Sequence, residues 1–333
     1  MRRRVGALQN LSNRAEVSIP RGRYAPTPSG WLHLGNARTA LAAWASIRRQ
    51  GGTFVWRLED LDGPRTVPGM AEAAEVDLRW LGLDWDEGPE QVGGPFAPYV
   101  QSQRAELYEA ALEGLAQAGR LFPCRVSRAD LANLATAPHG REGAPPYPAS
   151  LRPKELQPGW FEALRDDPRP DAALRFRVQE EPVRFVDRVY GPIEERVDRT
   201  VGDFVLKRRD GVYAYQLAVV VDDLAMGITE VVRGRDLLDS TARQIQLIQA
   251  LGGSIPAYAH LPLVLNAEGE KLSKRDDAAR IRTLRDQGVA PEAVVGRLAA
   301  SLGLIDRPEP CRAIDLVPLF DWENVPKEDW RAS

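Results

Sequence analysis

The sequence is poor in cysteine, histidine and lysine, and each shortage narrows what the chain can be. Two cysteines in 333 residues, Cys124 and Cys311, cannot build a disulfide framework. They fit a reducing compartment, so a cytoplasmic protein is expected. No stretch of about 18 uninterrupted apolar residues occurs, which leaves no candidate membrane-spanning helix and no membrane partner to expect. The basic opening, Met1-Arg2-Arg3-Arg4-Val5, lacks the apolar run that a signal peptide places after it. Charge of one sign is not in excess either. Forty-seven acidic and 44 basic residues leave a net charge of −3, so any nucleic-acid surface must be a local basic patch. Neither an internal repeat nor a heptad seam is present; a coiled coil is not expected, and a monomer is.

Lysine is the most informative shortage. Five lysines (Lys154, Lys207, Lys271, Lys274 and Lys327) stand against 39 arginines. With abundant alanine, that bias reads as a GC-rich genome. Most arginines are then ordinary surface charge, and a surviving lysine stands out.

What is present is a globular composition, 44% apolar and 27% charged, long enough for two or three units. Residues 1–20 read as an irregular extension. From about residue 21 a short strand around Arg23-Tyr24-Ala25 breaks at Pro26 and Pro28. A helix begins after Gly35, with Ala37, Leu41, Trp44, Ala45 and Arg48 at helical spacing, and Gly51-Gly52 end it. Thr53–Leu58 reads as a buried strand leading to Glu59. Helices follow from about Met70 to Leu81 and from Ser102 to Ala118. This alternation predicts an α/β fold, a doubly wound (Rossmann) parallel sheet. Residues 136–170, rich in Pro and Gly, depart from it, and the short antiparallel-looking strands Leu174–Val178, Arg184–Val189 and Phe204–Lys207 follow. Leu217–Val221 and Ile228–Val232 read as two further strands, the first ending at Asp222-Asp223 and the second at Arg233. A long helix spans about Leu237–Leu251, and the tail is helical around Arg280–Gln287 and Pro291–Leu302. The expected organisation is a Rossmann core in two halves (21–120 and 213–260), an inserted α+β module (121–212), and a helical C-terminal region (261–333).

Three places carry chemistry. In the first, the turn Pro26-Thr27-Pro28-Ser29-Gly30 leads to His33-Leu34-Gly35-Asn36 at a helix start, where unpaired N–H groups attract phosphate. His33 is either a helix cap or a donor to a phosphate oxygen, and Gly35 would let a planar base approach the backbone. The second, Lys271-Leu272-Ser273-Lys274-Arg275, holds two of the five lysines. It is either a solvated basic turn or a clamp for polyphosphate. In the third, Arg23, Ala25 and Thr27 alternate along the first strand and so share a face. Glu59, Tyr215 and Arg233 lie at the ends of nearby segments. Two arginines and a carboxylate suit a substrate bearing carboxylates and an ammonium, although either Glu59 or Arg233 alone reads equally as part of a structural ion pair.

These residues together resemble a known family. His33-Leu34-Gly35-Asn36 is similar to the HIGH motif of class I aminoacyl-tRNA synthetases, and Lys271–Arg275 to their KMSKS loop. Arg23–Gly30, Arg57-Leu58-Glu59-Asp60-Leu61-Asp62, Val219–Asp223 and Val232–Asp236 look like the glutamyl branch, in order from about residue 21 to 305. Only 58 residues follow Arg275, where a full glutamyl-tRNA synthetase carries a larger anticodon-binding domain. The chain is therefore more similar to the short paralogous family, the glutamyl-Q tRNA(Asp) synthetases, whose C-terminal region contacts the stem. That resemblance implies ATP-dependent activation of L-glutamate, with Mg²⁺ on the phosphates, and transfer to queuosine in the anticodon loop of tRNA(Asp). A minimal enzyme charging the 3′ end of tRNA(Glu) is the alternative. It also implies that Arg23, Ala25, Thr27, Glu59, Tyr215 and Arg233 line a glutamate site. His33, Asn36, Asp236, Lys271 and Lys274 would face ATP, with His33 and Lys274 catalytic. Asn36 takes the place of the motif's second histidine and can still donate a hydrogen bond.

One departure concerns metal. Family members often carry a zinc site of the pattern Cys-x-Cys with Tyr-x-x-x-Cys. Here Cys124 and Tyr147 are retained, but Val126 and Leu151 occupy the other two positions. With His139 the one nearby substitute, zinc is not expected. The lysine assignment is testable: Lys274→Ala is expected to depress adenylate formation far more than glutamate binding, read by pyrophosphate exchange beside calorimetry. Equal losses in both would remove it from the transition state.

Overall fold

A computed structural model describes residues 19–91, 93–126, 146–272 and 277–332; Lys274 and His139 lie outside them. Strands β1 (Arg21–Tyr24), β2 (Thr53–Trp56), β3 (Leu121–Cys124), β4 (Ala173–Phe176), β5 (Val183–Asp187), β6 (Gly191–Glu195), β7 (Phe204–Lys207), β8 (Glu230–Gly234), β9 (Ala257–Leu261), β10 (Val264–Leu265) and β11 (Trp330–Arg331) are arranged in three sheets. The central one has the order β2-β1-β8-β9-β5-β6, parallel except for the β5–β6 hairpin. β1 is followed by β2 on one side while β8 lies on the other, so the chain changes direction between β1 and β8. In open α/β sheets the ligand crevice lies outside the carboxyl ends of the strands at such a point.

Strands β2, β8 and β9 divide their side chains between two cores. Phe54 and Trp56 face a core under helix α1 (Leu34–Arg49), whereas Val55 faces the opposite one. Helices α2 (Met70–Trp80), α3 (Ala105–Gln117), α4 (Trp160–Arg165) and α5 (Val197–Thr200) come next, then α6 (Tyr215–Ala225), α7 (Thr241–Ala250), α8 (Ile281–Asp286) and α9 (Pro291–Ser301). The first core includes α1, α9 and the 3₁₀ segment Ala313–Leu319; the second includes α3, α6 and α7. This is the α/β, Rossmann-like doubly wound architecture that the alternation predicts. Buried Arg38 ties α1 to the C-terminal region, donating to the carbonyls of Pro262 (2.8 Å) and Ser301 (3.0 Å). Burial pushes its guanidinium down to about 10.

Two expectations about strands need correction. Leu217–Val221 is not a strand but the centre of α6, where every residue from Leu217 to Asp223 is buried. A helix enclosed on all sides shows the same continuous apolar run as a buried strand, so periodicity does not separate them. Asp222 and Asp223 therefore sit in a last helical turn rather than beyond a sheet. The second correction is that β1 ends at Tyr24, so Ala25 and Thr27 belong to the turn that follows it. The Val183–Glu195 hairpin joins the central sheet by pairing β5 with β9.

The sheet β3-β4-β7 is antiparallel. Around its first strand, Cys124, Val126, Tyr147 and Leu151 gather with Phe122 and Leu156 in a small apolar cluster. The Cys124 thiol donates to the Tyr147 hydroxyl at 3.6 Å, which donates to the Leu151 carbonyl at 3.2 Å. Burial pushes the Tyr147 hydroxyl up, keeping it neutral. Valine and leucine side chains offer no ligand, and this donor set does not fit zinc. Among the described residues no group of three or more His, Cys, Asp or Glu side chains is placed to hold a metal. Elemental analysis is expected to find substoichiometric zinc, with a melting temperature unmoved by EDTA; a chelator-induced drop would contradict the apolar cluster as this sheet's support.

Candidate active site

The crevice is built from the turn after β1, the start of α1 and the end of β8. His33 is the N-cap of α1. The Gly35 amide donates to its Nδ1 at 3.1 Å, while the His33 amide donates to Asn36 Oδ1 at 3.2 Å, a reciprocal capping box. An accepting Nδ1 places the proton of the neutral ring on Nε2. Capping and cleft lining therefore coexist in His33. A Cβ at Gly35 would lie 3.0 Å from His33 Cε1 and 3.5 Å from Val264 Cβ. The glycine lets the imidazole fold over the helix start, a different reason from the base approach expected of it.

Arg233, the last residue but one of β8, lies beside His260, its register partner on β9. Its Nε donates to His260 Nε2 at 2.9 Å, Nη1 to Gln244 Oε1 at 2.7 Å and Nη2 to Thr241 Oγ1 at 2.9 Å. A guanidinium has five N–H groups, so one remains on each terminal nitrogen, the spacing that matches a carboxylate. Arg233 is buried and lines the cleft.

Beneath the cleft lies a cluster of three arginines and three carboxylates. Arg57, fully enclosed, donates to Glu59 at 3.0 Å and to Asp223 at 2.7 Å. Arg23 Nε donates to Asp223 at 3.2 Å. Arg104 reaches Asp222 at 2.6 Å, and Gln101 and Tyr108 donate to its other oxygen. Formal charges cancel, so the set can be buried without an uncompensated ion. Burial tends to raise both Glu59 and Asp223. For Asp223 the two arginines outweigh burial and hold it below the usual carboxylate range, whereas Glu59 stays above it.

Of the residues expected from sequence, Arg23, Ala25, His33, Asn36, Glu59, Tyr215, Arg233, Asp236 and Lys271 line one cleft with a cavity volume of about 250 Å³. Lys271 donates to Asp236 at 2.6 Å. Thr27 lines an adjoining trough of about 970 Å³ that shares Ala25, Glu59, Tyr215, Asp236, Leu237 and Lys271 with the cleft and is walled farther out by Arg65, Arg208 and Tyr213. Sequence reasoning did not single out Arg57, Arg104, Asp187, Gln244 or His260 as parts of the site. A signal existed for Arg57, an arginine within an otherwise apolar strand segment; none did for the others.

The model of the family "tRNA synthetases class I (E and Q), catalytic domain" matches residues 20–331. The glutamyl-Q tRNA(Asp) synthetase of Symbiobacterium thermophilum is 53% identical over 312 residues, covering 93% of this chain and 95% of that protein. A glutamate–tRNA ligase of Anaeromyxobacter is 42% identical, over 92% of this chain and 63% of its own length. Among solved structures, a glutamate tRNA ligase from Elizabethkingia meningosepticum in complex with its amino acid superposes with a TM-score of 0.82 at 30% identity, over 95% of this chain and 67% of that one. Fold, crevice and matches define a class I tRNA synthetase catalytic domain of the glutamyl and glutaminyl type. Within that class, the chain belongs to the glutamyl-Q tRNA(Asp) synthetase family.

The buried cluster yields a stability prediction. Arg57→Met, which leaves Glu59 and Asp223 without their shared cation, is expected to destabilise the protein by about 3–5 kcal/mol in denaturant unfolding. Arg184→Ala, which removes the exposed Arg184–Glu194 pair, should leave the midpoint nearly unchanged. A similar midpoint for the two variants would contradict the cluster's role.

Proposed function

We propose that this protein condenses L-glutamate with ATP to glutamyl-adenylate and transfers the glutamyl group to queuosine in the anticodon loop of tRNA(Asp), in the cytoplasm. The observation that carries this reading is the two-poled cleft. Arg233 has two N–H groups left for a carboxylate, and Glu59 supplies an anion on the same cavity wall system. Arg23, on β1, and Tyr215, at the start of α6, line the same cleft. Glutamate fits with its side-chain carboxylate on Arg233 and its ammonium toward Glu59, while Ala25 and Thr27 shape the turn beside its α-carboxylate.

The chemistry asks for position and positive charge rather than a protein nucleophile. An α-carboxylate oxygen attacks the α-phosphorus of ATP, and the bond to pyrophosphate breaks with its electron pair. His33, donating from Nε2, and Lys274 stabilise the charge that develops on the phosphates; Asn36 donates from its amide nitrogen. Asp236 lies toward the ribose and Lys271 toward the phosphates. Magnesium entering with ATP would neutralise phosphate charge, held largely by the nucleotide and water. A hydroxyl of the RNA then attacks the mixed anhydride, and AMP leaves.

Radiolabelled glutamate, ATP and Mg²⁺ offered with queuosine-containing tRNA(Asp), the same tRNA with guanosine, and tRNA(Glu) test the reading. Labelling of the queuosine form alone is expected, whereas labelling of tRNA(Glu) instead would make this a minimal tRNA(Glu)-charging enzyme. The two poles also set a pH dependence. Glu59 must be anionic to hold the ammonium, and burial raises it above its ordinary value of about 4.3. Apparent glutamate affinity is therefore expected to fall as pH drops from neutrality, before the substrate's own side chain protonates. A profile flat down to the ordinary carboxylate range would contradict Glu59 as the ammonium's partner.

A further inference from the structure

Arg233 begins two chains of hydrogen bonds whose directions are fixed. On one side it donates to Gln244 Oε1. Gln244 then donates to Gln216 Oε1 at 2.8 Å, and Gln216 to Ser240 Oγ at 3.0 Å. On the other side its Nε–H requires an acceptor at His260 Nε2. The ring proton must then sit on Nδ1, which lies 2.6 Å from Asp187 Oδ2. His260 and Asp187 are buried. The groups facing His260 are Asp187 from β5, Arg233 from β8 and Thr241 from α7, with Tyr258 stacked beside it on β9 and Arg23 contributing charge from β1. Burial, reinforced by the two arginines, lowers the imidazole and keeps it neutral against the pull of Asp187.

Asp187 is itself fixed. Its Oδ1 accepts from the amides of Val189 and Tyr190 at 3.0 Å and faces that of His260 at 3.4 Å. One carboxylate oxygen is therefore committed to backbone donors, and the other is aimed at the imidazole. Asp187 touches neither the cleft nor Arg233, yet its proton acceptance decides which histidine nitrogen can accept from Arg233.

We propose that Asp187 and His260 are positioning residues for amino-acid recognition, holding the Arg233 guanidinium so that its two remaining N–H groups meet the substrate's side-chain carboxylate. This rests on the glutamate reading above. An isosteric change isolates the effect. In Asp187→Asn the three backbone amides keep the carboxamide oxygen, so its NH₂ faces His260 Nδ1. The ring proton then moves to Nε2 and confronts the Arg233 Nε–H, donor against donor.

The experiment is glutamate-dependent ATP–pyrophosphate exchange with the wild-type chain, Asp187→Asn, His260→Leu and His260→Gln. Asp187→Asn and His260→Leu are expected to raise the glutamate KM by about tenfold or more, as loss of a hydrogen bond to a charged group does. The ATP KM should stay within about twofold, the mark of a lost substrate-positioning contact. His260→Gln, whose Oε1 restores an acceptor, should recover most of the loss. An unmoved glutamate KM in Asp187→Asn, or glutamate and ATP KM rising together, would overturn the inference. Should Asp187→Asn fail to fold by thermal melt, the His260→Gln and His260→Leu pair decides: equal behaviour overturns it and a selective glutamate defect in the leucine variant supports it. Failure of the wild-type chain to exchange with glutamate would overturn the functional reading and this inference with it, whereas normal wild-type exchange with unmoved KM overturns this inference alone.

Discussion

Arg57 is fully enclosed, and its guanidinium holds Glu59 on one side and Asp223 on the other. The geometry above it depends on that bridge. Glu59 is carried beyond the end of β2, and Asp223 by the last turn of α6, where the helix dipole disfavours a carboxylate. Asp223 in turn receives Arg23 from β1. Three elements far apart in the chain are thereby locked together beneath the crevice by charges that cancel. Pairing of this kind adds little net stability compared with apolar packing, but removal of one partner is costly. Its use here is to fix where Glu59 and Arg23 stand.

The same logic recurs at the other pole. The register that sets Arg233 beside His260 on adjacent parallel strands puts a donor and an acceptor side by side at the sheet's carboxyl edge. Gln244 and Thr241 on α7 take two more of its N–H groups. Arg233 is thus held by sheet and helix, and Glu59, in the segment beyond β2, by its bond from buried Arg57; positioning both before a ligand arrives lowers the ordering cost of binding. Around them, the capping box of His33 and Asn36 presents a helix start to the cleft. The polar chemistry of a ligase is carried on a framework whose two cores are otherwise apolar.

Much of this was legible in the sequence because it is local. The helix after Gly35 announces itself by spacing, and the strand Thr53–Trp56 by its apolar run. Arg23, Glu59, Tyr215, Arg233, His33 and Asn36 were named from motifs, and they meet in one cleft. What was not legible depends on partners distant in the chain. Arg57 and Asp223 are 166 residues apart, and His260 and Asp187 are 73 apart; no periodicity connects them. The misreading of Leu217–Val221 has a different cause. Complete burial erases the amphipathic pattern by which a helix is known, and it moved two aspartates from a supposed strand end into a helix turn.

The central claim is that the cleft is a two-poled receptor for glutamate, with Arg233 and Glu59 as its poles. A crystal structure with glutamate and a non-hydrolysable ATP analogue tests it most directly. The account predicts the side-chain carboxylate on the two terminal nitrogens of Arg233 and the ammonium on Glu59, with the Arg57–Asp223 bridge intact. Glutamate bound in the reverse sense, or held by Lys271 and the helix start while Arg233 touches only protein, would contradict it.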